Sequence, residues 1–135
     1  ISTPDARFGV PIAKTLGNCL SASNVAWLAA HLGINIVKRM LLLAELVTAP
    51  ELLKQGYLLA TYIADDLEGE ANQLAERLMK LAPITQKSSK QTLARMIKNN
   101  LPDCSDLIRE CYGSHDFKNG VASFLEGKPP VWTGK

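Results

Sequence analysis

The chain has 135 residues, of which 47% are hydrophobic and 21% charged, with a formal net charge of +2. This is the size of one modest domain with a single core, and the composition is that of a globular protein rather than a disordered segment. So small a charge argues against nucleic-acid binding, which needs concentrated Lys and Arg to neutralise phosphates.

No basic stretch followed by an apolar run opens the sequence, so no signal peptide is expected. No stretch reaches the ~18 apolar residues of a membrane span. The three cysteines, Cys19, Cys104 and Cys111, are odd in number and lack framework spacing. Free thiols in a reducing compartment, the cytoplasm, are expected, acting as small apolar packing residues.

Residues 1–20 carry Gly9, Pro11 and Gly17 without helical periodicity and read as strand ends and loops. The early Phe8-Gly9-Val10-Pro11 suggests a chain that starts in the middle of a larger fold. Ser21 or Ser23 is expected to cap a helix over about 24–32, with Gly33 as its stop. The next segment, about 35–46, is apolar on most sides and predicts a largely buried helix. Pro50 and Gly56 bracket a short helix over 50–55. Tyr57 to Ile63, rich in aromatic and β-branched residues, predicts a strand.

Asp65 or Asp66 is expected to cap a helix reaching about Ala82. Leu67, Ala71, Leu74, Ala75 and Leu78 form its apolar stripe. Pro83 ends that helix or opens the next, over about 84–98, anchored by Leu93, Met96 and Ile97. Ser105 is expected to cap a helix that carries Leu107, Ile108, Cys111 and Tyr112 on one face. Ser114 caps the last helix, with Phe117, Val121, Phe124 and Leu125 on one side, and Gly127 and Pro129-Pro130 stop it.

Several groups look chemical and have simpler readings. Ser114-His115-Asp116 cannot form a relay, because consecutive helical residues point about 100° apart. His31 and His115 have no partners at metal-ligand spacing. Lys87, Lys90, Arg95 and Lys98 make a basic helix that reads as a solvated face, with binding of a phosphorylated ligand as the alternative.

Three segments resemble the enoyl-CoA hydratase/isomerase (crotonase) family. Ala6-Arg7-Phe8-Gly9-Val10-Pro11 is similar to the family's A-x-F-G-x-P-E stretch. Val47 to Leu58, with Ala49-Pro50-Glu51 and Gly56, is similar to the A-x-E-A-x-x-x-G-L-V stretch before the last core strand. Asp116 to Gly134 is similar to the closing D-F-x-E-G-x-x-A-F-x-x-K-R-x-P-x-F-x-G. Ala82-Pro83 followed by Lys90 also fits a family pattern.

The resemblance implies a mainly α chain: residues 1–64 as the end of a ββα-spiral core, and residues 65–135 as the helical C-terminal trimerisation region. It implies an enzyme in which two backbone N–H groups polarise a coenzyme A thioester and stabilise an enolate. Both donors, and the first of the hydratase glutamates, would precede Ile1. The second glutamate position is Ile12, which cannot move a proton, so no catalytic residue is expected in the chain. By the same resemblance Phe8, Pro11, Ile12 and Leu16 would line the acyl site. Phe124 and Lys128 would face coenzyme A, which enters as part of the acyl-CoA substrate with no separate cofactor and no metal. A homotrimer or hexamer is implied for the full-length protein. The chain alone is expected to be inactive. The alternative is a non-catalytic helical oligomerisation module.

Overall fold

The computed structural model describes residues 1–99 and 101–135. In chain order the elements are β1 (Arg7–Phe8), α1 (Ile12–Thr15), α2 (Ala22–Leu32), α3 (Ile34–Leu42), β2 (Val47–Thr48), α4 (Ala49–Lys54), α5 (Ala64–Met79), α6 (Pro83–Lys98), α7 (Ser105–Gly113) and α8 (His115–Leu125). The mainly helical reading therefore holds. They pack as two compact units, one of Ile1–Phe8 with Val47–Asn99, the other of Gly9–Leu46 with the residues from 101 onward.

In the first unit β1 and β2 pair antiparallel, Arg7 opposite Thr48 and Phe8 opposite Val47. Thr48 ends β2 and starts α4: its hydroxyl accepts from the Glu51 amide at 3.4 Å, beside Pro50 in the first turn. Val47, Ala49, Leu52 and Leu58 are buried and form the unit's core.

The strand expected over Tyr57–Ile63 does not form; only Thr61 bridges, in parallel, to Ser2. Helix termination explains this. Gly56 turns with φ 77°, and the amides of Tyr57 and Leu58 return to the Leu52 carbonyl at 3.0 and 3.3 Å. Those donors satisfy the open end of α4 and cannot serve a ladder.

The start of α5 also differs from expectation. Ile63, not an aspartate, is its N-cap residue, and Asp65 and Asp66 lie in the first turn. There they complement the positive end of the helix dipole without accepting a capping bond. The stripe of α5 is present, with Leu67 and Leu74 half-buried and Leu78 exposed. Pro83 opens α6, where Ile84 is 79% and Met96 68% exposed.

In the second unit Ser21 caps α2, accepting from the Asn24 amide at 3.4 Å, and Gly33, at φ 78°, joins α2 to α3. The core is Leu32, Ile36, Val37 and Met40. The segment expected to be a largely buried helix buries only that one stripe. It ends at Leu42, because Ala44 takes φ 52° and turns the chain away. Leu42, Leu43 and Leu46 are left exposed.

Ser105 does not cap α7. Its hydroxyl donates to Asp103 at 2.5 Å and its amide to the same oxygen at 3.0 Å. A carboxylate just upstream is the stronger acceptor and takes both donors. Ser114 caps α8 as expected, accepting from the Phe117 amide at 3.0 Å.

The closing segment then folds back along α8. One Asp116 oxygen accepts the amide and the hydroxyl of Thr133, both at 2.7 Å, and the other accepts the Gly134 amide at 2.8 Å. Asn119 adds a bond to the Val131 carbonyl at 2.5 Å. This lays Trp132 against Gly17 and Gly120. Gly120 is buried, and a Cβ there would collide with the Leu16 carbonyl at the end of α1.

Two stability predictions follow from this packing. Gly120→Ala is expected to lower unfolding free energy by about 1–3 kcal/mol through overpacking. Gly69→Ala, on α5 with nothing within 4 Å of an added Cβ, is expected to raise it by up to ~1 kcal/mol from helix propensity alone. Urea unfolding midpoints of the two variants should therefore move in opposite directions.

A further prediction concerns Asp116, whose carboxyl is held below its ordinary 3.8 by the Thr133 hydroxyl first and then by the Thr133 and Gly134 amides. A depressed folded-state pKa gives stability that is present above 3.8 and lost as pH falls through the folded value. The advantage of the native chain over Asp116→Asn should thus be seen at neutral pH and shrink in acid. An unchanged gap between their midpoints at low pH would show that the carboxylate charge is not the cause.

Candidate functional site

The start of α1, at Ile12, is where the family resemblance places catalysis, and it is held by backbone bonds and the Thr15 hydroxyl. Pro11 is the N-cap residue; its carbonyl accepts the Thr15 hydroxyl at 3.0 Å and the Lys14 and Thr15 amides at 3.1 Å. The Ile12 carbonyl accepts from Leu16 at 3.1 Å and from Gly17 at 2.8 Å. Pro11, Ile12 and Leu16 are all half-buried. Their side chains offer apolar surface and no proton, so this turn can shape a pocket and exclude water but cannot act as acid or base.

Phe8 belongs to the other unit, on β1, with its ring edge-on to Tyr57 at 6.4 Å between centroids. Phe124 and Lys128 do come together. They line one cleft of about 360 Å³ with Lys14 and Thr15 of α1, Pro129, Pro130 and Trp132. Phe124 is exposed, and the Lys128 ammonium pairs with Glu126 at 2.9 Å. Two ammonium groups beside aromatic and proline surface suit a ligand with a negatively charged end and a flat or apolar body.

Lys14, Thr15 and Trp132 were not singled out from the sequence. Trp132 could have been, because an aromatic sixteen positions after Asp116 in a Gly-Pro-rich tail has little use unless the tail folds back on the helix.

A second cleft in the same unit, about 820 Å³, also has Trp132 in its wall, with Gly17, Arg109, Cys111, Asp116 and Lys135 among its lining residues. The Cys111 thiol donates to the Gly17 carbonyl at 3.3 Å, and the Tyr112 hydroxyl donates to the Cys19 carbonyl at 3.4 Å. Burial pushes the Cys111 thiol up to about 11, with the adjacent Cys19 thiol and the Glu110 charge adding to the effect. At neutral pH it is a protonated donor rather than a nucleophile.

Asn18, between these groups, has a buried side-chain oxygen without a hydrogen-bond partner. Ser114 and Asp116 are occupied by the helix cap and the tail clasp, so no relay forms with His115. Among the described residues no group of three or more His, Cys, Asp or Glu side chains could hold a metal ion, and no helix is long and apolar enough to cross a membrane.

Comparison with known proteins gives a consistent result. The family profile described as enoyl-CoA hydratase/isomerase matches residues 1–135. A short-chain-enoyl-CoA hydratase of Clostridium acetobutylicum is 25% identical over 130 residues, covering 93% of this chain and 49% of the relative. A 2,3-dehydroadipyl-CoA hydratase of Escherichia coli is 24% identical over 139 residues, covering 100% of this chain and 54% of the relative. Among solved structures, a methylmalonyl-CoA decarboxylase in complex with 2-nitronate-propionyl-CoA superposes with a TM-score of 0.89 at 23% identity, over 98% of this chain and 53% of that one. This last likeness concerns the fold. The chain spans about half the length of the curated relatives it matches. With the profile matched from end to end and the fold agreeing, the chain belongs to the enoyl-CoA hydratase/isomerase family.

Proposed function

We propose that the protein carrying this chain acts on an acyl-CoA thioester through an enolate, as a hydratase, isomerase or related enzyme. The observation that carries the reading is the meeting of Phe124, Lys128 and Lys14 on one cleft built from α1, α8 and the closing tail. Two chain segments that the family uses for substrate are thereby joined. In this reading the Phe124 ring stacks on coenzyme A and Lys128 meets its phosphates. Pro11, Ile12 and Leu16 face the acyl group.

The oxyanion donors that stabilise the enolate belong to the preceding part of the fold. Ile12 supplies shape and dryness where hydratases of the family supply a carboxylate. The proton step therefore falls to another group, and hydration by a pair of glutamates is disfavoured. Residues 1–64 close the spiral core and residues 65–135 form the helical region that assembles a trimer or a hexamer. The cytoplasm is the proposed compartment, in keeping with free thiols.

A second reading is a helical oligomerisation module without turnover. The apolar surface of α5 and α6 favours it, since neither helix has a buried residue.

Turnover of crotonyl-CoA and of a 3-enoyl-CoA by the complete protein separates the two. Activity with at least one is expected, and inactivity with both would leave the module. The 135-residue chain alone should show none. In the complete protein Lys128→Ala should raise KM for acyl-CoA several-fold with kcat nearly unchanged, as expected for lost uniform binding. A fall in kcat alone would place Lys128 at the chemistry instead.

A further inference from the structure

The loop after α1 and the last turn of α7 are stitched together by two side-chain bonds. Cys111 bonds to the carbonyl of Gly17, and Tyr112 bonds to the carbonyl of Cys19. These two bonds set the segment carrying Cys19 beside the one carrying Cys111, though they are separated by most of the chain. All three cysteines are free and half-buried, and Cys111 also lines the open cleft beside Trp132. Small oxidants can therefore reach one member of a thiol pair that the fold has already brought together.

We infer that Cys19 and Cys111 form a reversible thiol–disulfide switch that, when oxidised by a peroxide, clamps the loop after α1 onto α7. The chemistry balances with hydrogen peroxide as the oxidant. One thiolate attacks a peroxide oxygen, the O–O bond breaks, and a sulfenic acid and hydroxide form. The second thiolate then attacks that sulfur, the S–S bond forms, and the second hydroxide leaves. With the two thiol protons the products are one disulfide and two waters, and a dithiol reductant reverses it.

Whichever cysteine reacts first, Cys111 must lose its proton along the way. Its protonated form is favoured by burial, by Cys19 from the loop and by Glu110 on α7. Arg109, Asp116 and Lys135 complete the charged lining of its cleft. The pair is thus slow to oxidise at neutral pH and faster as pH rises toward about 11. Because Leu16 and Gly17 begin the clamped loop, the oxidised form would also fix one wall of the proposed acyl site. That consequence rests on the acyl-CoA reading, whereas the disulfide itself does not.

The test is peroxide treatment of the folded chain, alkylation of remaining thiols, and non-reducing peptide mapping by mass spectrometry. The expected product has lost two hydrogens, links the Cys19 and Cys111 peptides, carries one alkylated thiol at Cys104, and forms faster as pH is raised from neutrality. Cys104→Ser should keep the link, and Cys19→Ser or Cys111→Ser should abolish it. A link involving Cys104, oxidation of Cys111 without a link, or equal yield from the urea-unfolded chain would overturn the inference. The mapping on the native sequence decides even if a variant folds poorly. No turnover is measured, so failure here leaves the acyl-CoA reading intact, and absence of turnover leaves the switch intact.

Discussion

Everything around the candidate site depends on the missing side chain at position 120. Gly120 lets the backbone of α8 come against the carbonyl of Leu16, and Trp132 closes over that contact and over Gly17. A methyl group at position 120 would push α1 away, and with it Ile12, Lys14 and the cleft they share with Phe124 and Lys128. The Asp116 clasp serves the same contact from the other side, because the tail must be held before Trp132 can lie there. The spacing from Asp116 through Gly120 to Trp132, Thr133 and Gly134 thus has a mechanical meaning. It is a helix start, a close-approach point and a returning tail, in that order.

Local features were legible where one residue decides the outcome. Ser21 and Ser114 accept capping bonds because each sits directly before a helix with no better acceptor nearby. Ser105 failed as a cap because it is already the first helical residue, where Asp103 accepts from its amide, and such a shift of one position is invisible to residue preference alone. The strand expected at Tyr57–Ile63 failed for a related reason. Its side chains suit a sheet, but its first amides are consumed in closing α4. Propensity ranks side chains, whereas the need to satisfy backbone donors ranks whole arrangements.

The site was legible through pattern more than through physics. Phe124 and Lys128 stand out because the closing segment resembles the family's, and the structure puts them on one cleft. Lys14 reaches that cleft only by tertiary approach, across more than a hundred residues of chain, and Trp132 only because the tail folds back. Phe8 shares a sequence motif with Pro11 and Ile12 yet packs in the other compact unit.

The apolar stripe of α5 shows a different kind of gap. Periodicity identifies the stripe correctly, but it does not say what covers it. Within its unit, Leu67 and Leu74 are only half-buried, while Leu78, Met79, Leu81 and Ile84 are exposed. Burying a residue of that size fully is worth roughly 1.5–3 kcal/mol. Several such residues together amount to a large fraction of the 5–15 kcal/mol that typically separates folded from unfolded states. The first unit, taken by itself, therefore leaves unburied apolar surface that could add to its stability. The same sequence spends a tight glycine contact, a three-bond carboxylate clasp and a tryptophan on holding α1 still. That rigid turn carries Ile12, and in the acyl-CoA reading proposed above an aliphatic side chain held there would shape and dry a pocket while another group moves the proton.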